Sequence, residues 1–212
     1  MTNPKSALLV VDLQNDFVPG GALAVKDGDQ VIPMIDELAH CKFDVKVATK
    51  DWHPANHGSF ASTHKKKPGD IITLEGLRQI LWPIHCVHET QGADFAPGWD
   101  TNKIERIFYK GIDEKIDSYS TFFDNGHMRS TGLEDFLRSK HVTDLYVAGL
   151  ATDYCVKYSV IDACRLGFTT YVIFDACRGV NLLAKDTEKA LKEMQEAGAT
   201  IISFEETLKK KI

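Results

Sequence analysis

Ala148-Gly149-Leu150-Ala151-Thr152-Asp153-Tyr154-Cys155-Val156 reads as the end of a strand, a tight turn and the start of a helix capped by Thr152 or Asp153. Cys155 is thereby expected in a first helical turn, where unpaired backbone N–H groups and the helix dipole favour a thiolate and can receive an oxyanion. Outward from this stretch the same alternation recurs. Short apolar runs rich in Val, Ile and Tyr fall at Ala7–Val11, Val45–Thr49, Ile104–Tyr109, Leu145–Ala148, Thr170–Phe174 and Thr200–Phe204. Amphipathic helical patterns lie between them at Val31–Ala39, Leu133–Ser139, Tyr154–Arg165 and Thr187–Ala197. Strands alternating with helices predict an α/β fold with a parallel sheet covered on both faces. No repeat or low-complexity linker interrupts the pattern, and 212 residues suit one domain, so residues 1–212 are read as a single unit. Only His53 to Thr101 resists, being long, punctuated by Pro and Gly and weakly periodic. Segments of that kind are functional or disordered, and its Trp and His content points to function.

Bulk properties narrow the function. A composition 43% hydrophobic and 26% charged is that of a soluble globular chain. The net charge of −5 argues against nucleic acid or an anionic membrane as partner. The basic run His64-Lys65-Lys66-Lys67 reads as a solvated loop, with a phosphate-binding patch as the alternative. Met1-Thr2-Asn3-Pro4-Lys5 leads straight into Ala7–Val11 with nothing like a signal peptide, and no apolar stretch approaches a membrane span. Cys41, Cys86, Cys155, Cys164 and Cys177 are odd in number and scattered, which predicts reduced thiols and a cytoplasmic protein.

In an open parallel sheet, ligands gather beyond the carboxyl ends of the strands. The strands here end on Asp12, Asp51, Lys110 and the Gly149-Leu150 approach to Cys155, so two carboxylates, an ammonium and a thiol share one edge. Asp12 can take the thiol proton and return it to a leaving amine. Lys110, which at a strand end would ordinarily snorkel to solvent, can instead hold Asp12 ionised. Asp16 suits a turn-capping role. Cys164 is assigned to packing, as are Cys41, Cys86 and Cys177, with a place beside the site left open for the last two. A metal signal accompanies this set. Asp51 and His53 stand at i and i+2, His85 follows later, and His57 and Ser59 lie between. One carboxylate with two imidazoles suits zinc, iron or manganese. The alternative is a set of loop histidines satisfied by backbone hydrogen bonds.

Five motifs in order, Val10-Val11-Asp12-Leu13-Gln14-Asn15-Asp16-Phe17, Asp51-Trp52-His53-Pro54, Trp82-Pro83-Ile84-His85-Cys86-Val87, Phe108-Tyr109-Lys110-Gly111 and Gly149 through Val156, resemble the nicotinamidase/pyrazinamidase branch of the isochorismatase-like (cysteine hydrolase) superfamily. The likeness runs from Ala7 to about Phe204. It implies a three-layer fold with a six-stranded parallel sheet flanked by helices, and Asp12, Lys110 and Cys155 as catalytic triad. It implies one divalent transition metal, zinc with iron and manganese as alternatives, on Asp51, His53 and His85, with Ser59 or His57 as a further ligand. It also implies a cis Leu150–Ala151 peptide, an oxyanion hole from the Ala151 and Cys155 N–H groups, and aromatic walls from Phe17, Trp82 and Tyr119 around a pyridine ring. The substrate so implied is nicotinamide, hydrolysed to nicotinate and ammonia, with pyrazinamide as a second substrate. The resemblance leaves a homo-oligomer open. A metal-free relative would lack the Asp51/His53/His85 set, a thiol redox protein would need a C-x-x-C, and a non-catalytic relative would have lost a triad member.

Overall fold

A computed structural model describes residues 4–211, so Met1–Asn3, where the leader reading begins, lie outside the described residues. Among the described residues, eight strands and five α-helices follow one another as β1 (Lys5–Val11), α1 (Ile32–His40), β2 (Val45–Asp51), β3 (Ile71–Leu74), β4 (Leu77–Ile80), β5 (Arg106–Lys110), α2 (Leu133–Ser139), β6 (Val142–Leu150), α3 (Lys157–Arg165), β7 (Thr169–Arg178), α4 (Asp186–Glu196), β8 (Thr200–Ile202) and α5 (Phe204–Lys211). Six strands form one sheet in the order β5-β2-β1-β6-β7-β8, and every neighbouring pair is parallel.

Period-two alternation along β1 builds the layers. Ala7, Leu9 and Val11 face one core with Leu133 and Leu137 of α2, Val160 and Ala163 of α3, and Ala190 and Met194 of α4. Leu8 and Val10 face the other, with Ile35 and Leu38 of α1 and the partly buried Phe204 and Leu208 of α5. Both faces of the central strands are therefore dry, which is why β1 and β6 read as continuous apolar runs. The sheet grows from β1 toward β2 and β5 on one side and toward β6, β7 and β8 on the other. This reversal opens a crevice at the carboxyl ends of β1 and β6, the position where such sheets take ligands.

α5 (Phe204–Lys211) departs from the sequence reading, which had no helix there and ended the last strand on Phe204, and two further elements depart as well. The Ile71–Ile80 stretch, inside the segment read as irregular, is an antiparallel hairpin of β3 and β4. Its turn residues Glu75 and Gly76 both have positive φ (47° and 81°), the geometry of a two-residue hairpin loop. The second is the helix before Cys155. Thr152–Val156 forms a π-helical turn leading into α3, and its N-cap, Ala151, makes no side-chain cap bond. Asp153 does not cap it; its carboxylate accepts from the Val180 and Asn181 N–H groups at 2.8 and 2.7 Å, tying the turn to the loop after β7. No helix among the described residues is long and apolar enough to cross a membrane.

Candidate active site

β1, β2, β5 and β6 converge at their carboxyl ends. Gly149 permits the close approach: it has φ +124°, and a Cβ there would overlap the backbone of Val11. The chain turns immediately after β1 with Asp12 in the left-handed region (φ 45°), an unusual conformation for a residue other than glycine. The Leu150–Ala151 peptide is cis, as the family resemblance implied.

Lys110 is the hub. Its ammonium is 2.9 Å from Asp12 Oδ2, donates to an oxygen of Asp51 and to the Ser118 carbonyl (2.9 Å), and lies 3.3 Å from Cys155 Sγ. The side chain is buried against Asp12 and does not snorkel to solvent as a strand-end lysine ordinarily would. Burial alone would lower its pKa, but Asp12 and then Asp51 reverse this and hold the group charged, well above the ordinary lysine value. The two carboxylates on this ammonium move in opposite directions. Burial raises the Asp12 carboxyl against the pull of Lys110. Burial pushes Asp51 up as well, but there Lys110 and then His53 outweigh it and the carboxyl is lowered. Asp12 Oδ1 accepts the Thr49 hydroxyl at 2.6 Å. Oδ2 lies against the Lys110 ammonium.

Cys155 Sγ, an Asp12 oxygen and an Asp51 oxygen all lie within 4.8 Å of one another. Burial pushes the thiol well above its ordinary value, and Lys110 only partly opposes it. Burial thus opposes the thiolate that a helix start favours, and Asp12 is the carboxylate beside the sulfur that can act on its proton. Cys41, Cys86, Cys164 and Cys177 are free thiols, and burial raises each of them too. None of these four lines the cavity described below.

Beside Lys110 and Cys155, His53 Nε2 and His85 Nε2 stand 3.6 and 3.8 Å from Asp51 Oδ2. Each ring is oriented from behind: His53 Nδ1 meets the Gly111 carbonyl and His85 Nδ1 the Pro83 carbonyl, both at 2.8 Å. With Nδ1 so engaged, the two Nε2 atoms face Asp51, the orientation that backbone carbonyls impose on metal-binding histidines. Gly111 is required here, because a Cβ at its position would overlap the His53 ring. Burial, followed by the neighbouring His53, pushes His85 down to about 4, keeping it in the neutral form that binds metals. One carboxylate and two imidazoles at these separations fit a divalent transition metal. Ser59 Oγ and His57 Nδ1 are bonded to each other at 2.7 Å, and His57 Nε2 is buried without a partner, near His53 and Asp117.

A cavity of about 360 Å³, including its mouth, opens against these groups. Phe17, Trp82 and Tyr119, the three aromatics expected from sequence, all line it, along with Asp51, His85, Ala151 and Cys155. Leu23, Asp117, Tyr154 and Val180 complete the wall and were not anticipated. Thr49 and Gln14 were missed as well. Gln14 exchanges two 2.8 Å bonds with the Asp51 backbone and so locks the end of β1 to that of β2. It lies inside the Asp12–Phe17 motif, which was its one visible signal. Asp16, expected to cap a turn, instead accepts the Ala22 and Cys86 N–H groups at 3.2 and 2.7 Å and ties its loop to the His85-Cys86 segment.

The chain belongs to the isochorismatase family: its residues 6–206 match the Isochorismatase domain. It is 48% identical over 204 residues to the nicotinamidase of Escherichia coli (strain K12), covering 95% of this chain and 96% of that one. Among solved structures it superposes on the nicotinamidase/pyrazinamidase of Acinetobacter baumanii with a TM-score of 0.93 and 44% identity, over 98% and 100% of the two chains. The pyrazinamidase of Pyrococcus horikoshii in complex with zinc gives a TM-score of 0.76 and 36% identity, over 94% and 99%.

Proposed function

We propose that this chain is a nicotinamidase, a metal-dependent cysteine amidohydrolase that converts nicotinamide to nicotinate and ammonia and also accepts pyrazinamide. The observation carrying this reading is that Cys155, Asp51 and His85 line one cavity, with Lys110 against Cys155, Asp12 against Lys110 and His53 against Asp51. The likeness to nicotinamidases over nearly the whole chain supports it. Residues 1–212 then constitute one catalytic domain of a cytoplasmic enzyme.

In the proposed reaction the substrate ring lies between Phe17, Trp82 and Tyr119 with its carboxamide carbon facing Cys155. Asp12 Oδ2 takes the thiol proton, and sulfur attacks the carbonyl carbon. The N–H groups of Ala151 and Cys155 receive the oxyanion. Its collapse expels the amine, to which Asp12 returns the proton, so that ammonia leaves and a nicotinoyl thioester remains. Asp12 next takes a proton from water as the water attacks the thioester; nicotinate departs and the proton returns to sulfur. Lys110 keeps Asp12 and Asp51 compensated throughout. Asp51, His53 and His85 would hold one divalent transition metal, zinc or alternatively iron or manganese, and its chemistry would be that of a Lewis acid available to a polar atom of the ring.

An ammonia-release assay tests the reading. Nicotinamide and pyrazinamide, which share a ring nitrogen meta to the carboxamide, are turned over; N-carbamoyl substrates are not, and isochorismate, which holds no nitrogen, gives no pyruvate in a parallel assay. Benzamide, which has the ring but no nitrogen, falls by roughly two orders of magnitude in kcat/KM. Benzamide hydrolysed as efficiently as nicotinamide removes the ring-orienting role. Release from an N-carbamoyl substrate alone removes the proposed function.

A further inference from the structure

The hairpin of β3 and β4 contributes one residue to the interior, and the chemistry above makes no use of it. Gln79 is 2% exposed, although the strand that carries it is otherwise half-buried or exposed. Its side-chain amide nitrogen donates to the Tyr119 hydroxyl at 3.0 Å, to Asp117 Oδ2 at 3.0 Å and to its neighbour's carbonyl, Ile80 O, at 2.7 Å, so that two hydrogens serve three acceptors. The Tyr119 oxygen receives a second donor, Trp82 Nε1, at 3.2 Å. Tyr119, Trp82 and Asp117 all line the cavity, whereas Gln79 lies behind them.

Proton accounting gives this cluster a direction. A phenol oxygen has two lone pairs and one hydrogen. With Gln79 and Trp82 occupying both lone pairs, the Tyr119 hydrogen is the one group left to give, and no acceptor for it is found among the described residues. Burial holds the phenol well above its ordinary pKa, with Asp117 adding to the effect, so the hydrogen stays in place. From this arrangement we infer that Gln79 is a positioning residue that turns the Tyr119 O–H into a hydrogen-bond donor for the bound carboxamide substrate. Tyr119 is then a polar specificity contact as well as an aromatic wall. An amide is required at position 79, because a carboxylate there would accept the Tyr119 hydrogen itself and confront Asp117 with a like charge.

The inference rests on the nicotinamidase reading, and a double-mutant cycle separates the two. Wild-type protein that releases no ammonia from nicotinamide defeats that reading, whatever position 79 does. With active wild type, Tyr119→Phe and Gln79→Leu each raise KM for nicotinamide about tenfold and leave kcat within about twofold, and the double variant is no worse than either single one. Gln79→Glu is more damaging than Gln79→Leu, although it keeps the size and shape of the native side chain. Effects of the two single substitutions that multiply in the double variant show that Gln79 does not act through Tyr119, and overturn the inference. So does a Tyr119→Phe variant with unchanged KM, a result readable even if Gln79→Leu fails to fold.

Discussion

The strand edge and the hairpin wall build the two sides of one cavity by different means. At the strand edge, Asp12 follows β1, Asp51 and Lys110 end β2 and β5, and Cys155 follows β6 by one turn. Parallel pairing sets Asp51 opposite Lys110 in register, and the Val11–Gly149 pairing brings the turns after β1 and β6 together. Backbone hydrogen bonds therefore fix where the reactive groups go. The wall is held by side chains: Gln79, Asp117, Tyr119 and Trp82 come from a small hairpin and from loops, and what joins them is a handful of polar contacts. Asp51 and Lys110 thus sit on an edge fixed by strand pairing, and Trp82 and Tyr119 sit on a wall fixed by side-chain contacts.

Lys110→Met attacks the edge at its hub and carries the largest expected effect. It leaves Asp12 and Asp51 buried without their shared cation, so activity falls by roughly three orders of magnitude or more and stability by about 3 kcal/mol or more. Steady-state kinetics and urea unfolding check this; near-native activity would break the claim that the edge works as one charge network.

Metal removal comes next, because the Asp51/His53/His85 set joins the edge to the wall. Dialysis against a chelator is expected to abolish most nicotinamide turnover and to lower the thermal midpoint, and zinc, iron or manganese to restore both. Metal analysis should find about one ion per chain. Full turnover in rigorously metal-free protein would leave the three ligands with a structural role only.

Thr49→Val is a finer probe of the edge. Its hydroxyl donates to Asp12 Oδ1 and favours the charged carboxylate. Its loss is expected to cut kcat about tenfold with little change in KM. The acid limb of kcat/KM, already above the ordinary aspartate value because burial raises Asp12, moves further up, since removing a bond to the charged form raises a pKa. A limb that stays in place or moves down would mean that Asp12 is not the base.

The same contrast explains what was legible in the sequence. Asp12, Asp51 and Lys110 could be read because strand ends are visible as breaks in apolar runs, and the sheet rule then brings strand ends together. Thr49 sits inside an apolar strand and looks like any β-branched residue there; only the pairing of β1 with β2 shows its hydroxyl reaching Asp12. Clean alternation of apolar and polar residues is absent from the hairpin, whose strands Ile71–Leu74 and Leu77–Ile80 are half-buried or exposed at every position but Gln79. Its Glu75-Gly76 turn also lacks the Asn-Gly or Asp-Gly signature. Gln79 and Asp117 carry no local signal either, since the partners that make Gln79 functional stand 38 and 40 positions away from it. The misread cap at Asp153 has the same origin, because its partners Val180 and Asn181 arrive from the far end of β7.

That Cys155 carries the acyl group is the central claim, and acid-quenched mass spectrometry of the enzyme during nicotinamide turnover tests it most directly. The expected result is a nicotinoyl adduct on the peptide containing Cys155, absent from Cys155→Ala, which folds but releases no ammonia. An adduct on Cys86, Cys164 or Cys177, or undiminished ammonia release from Cys155→Ala, would contradict it.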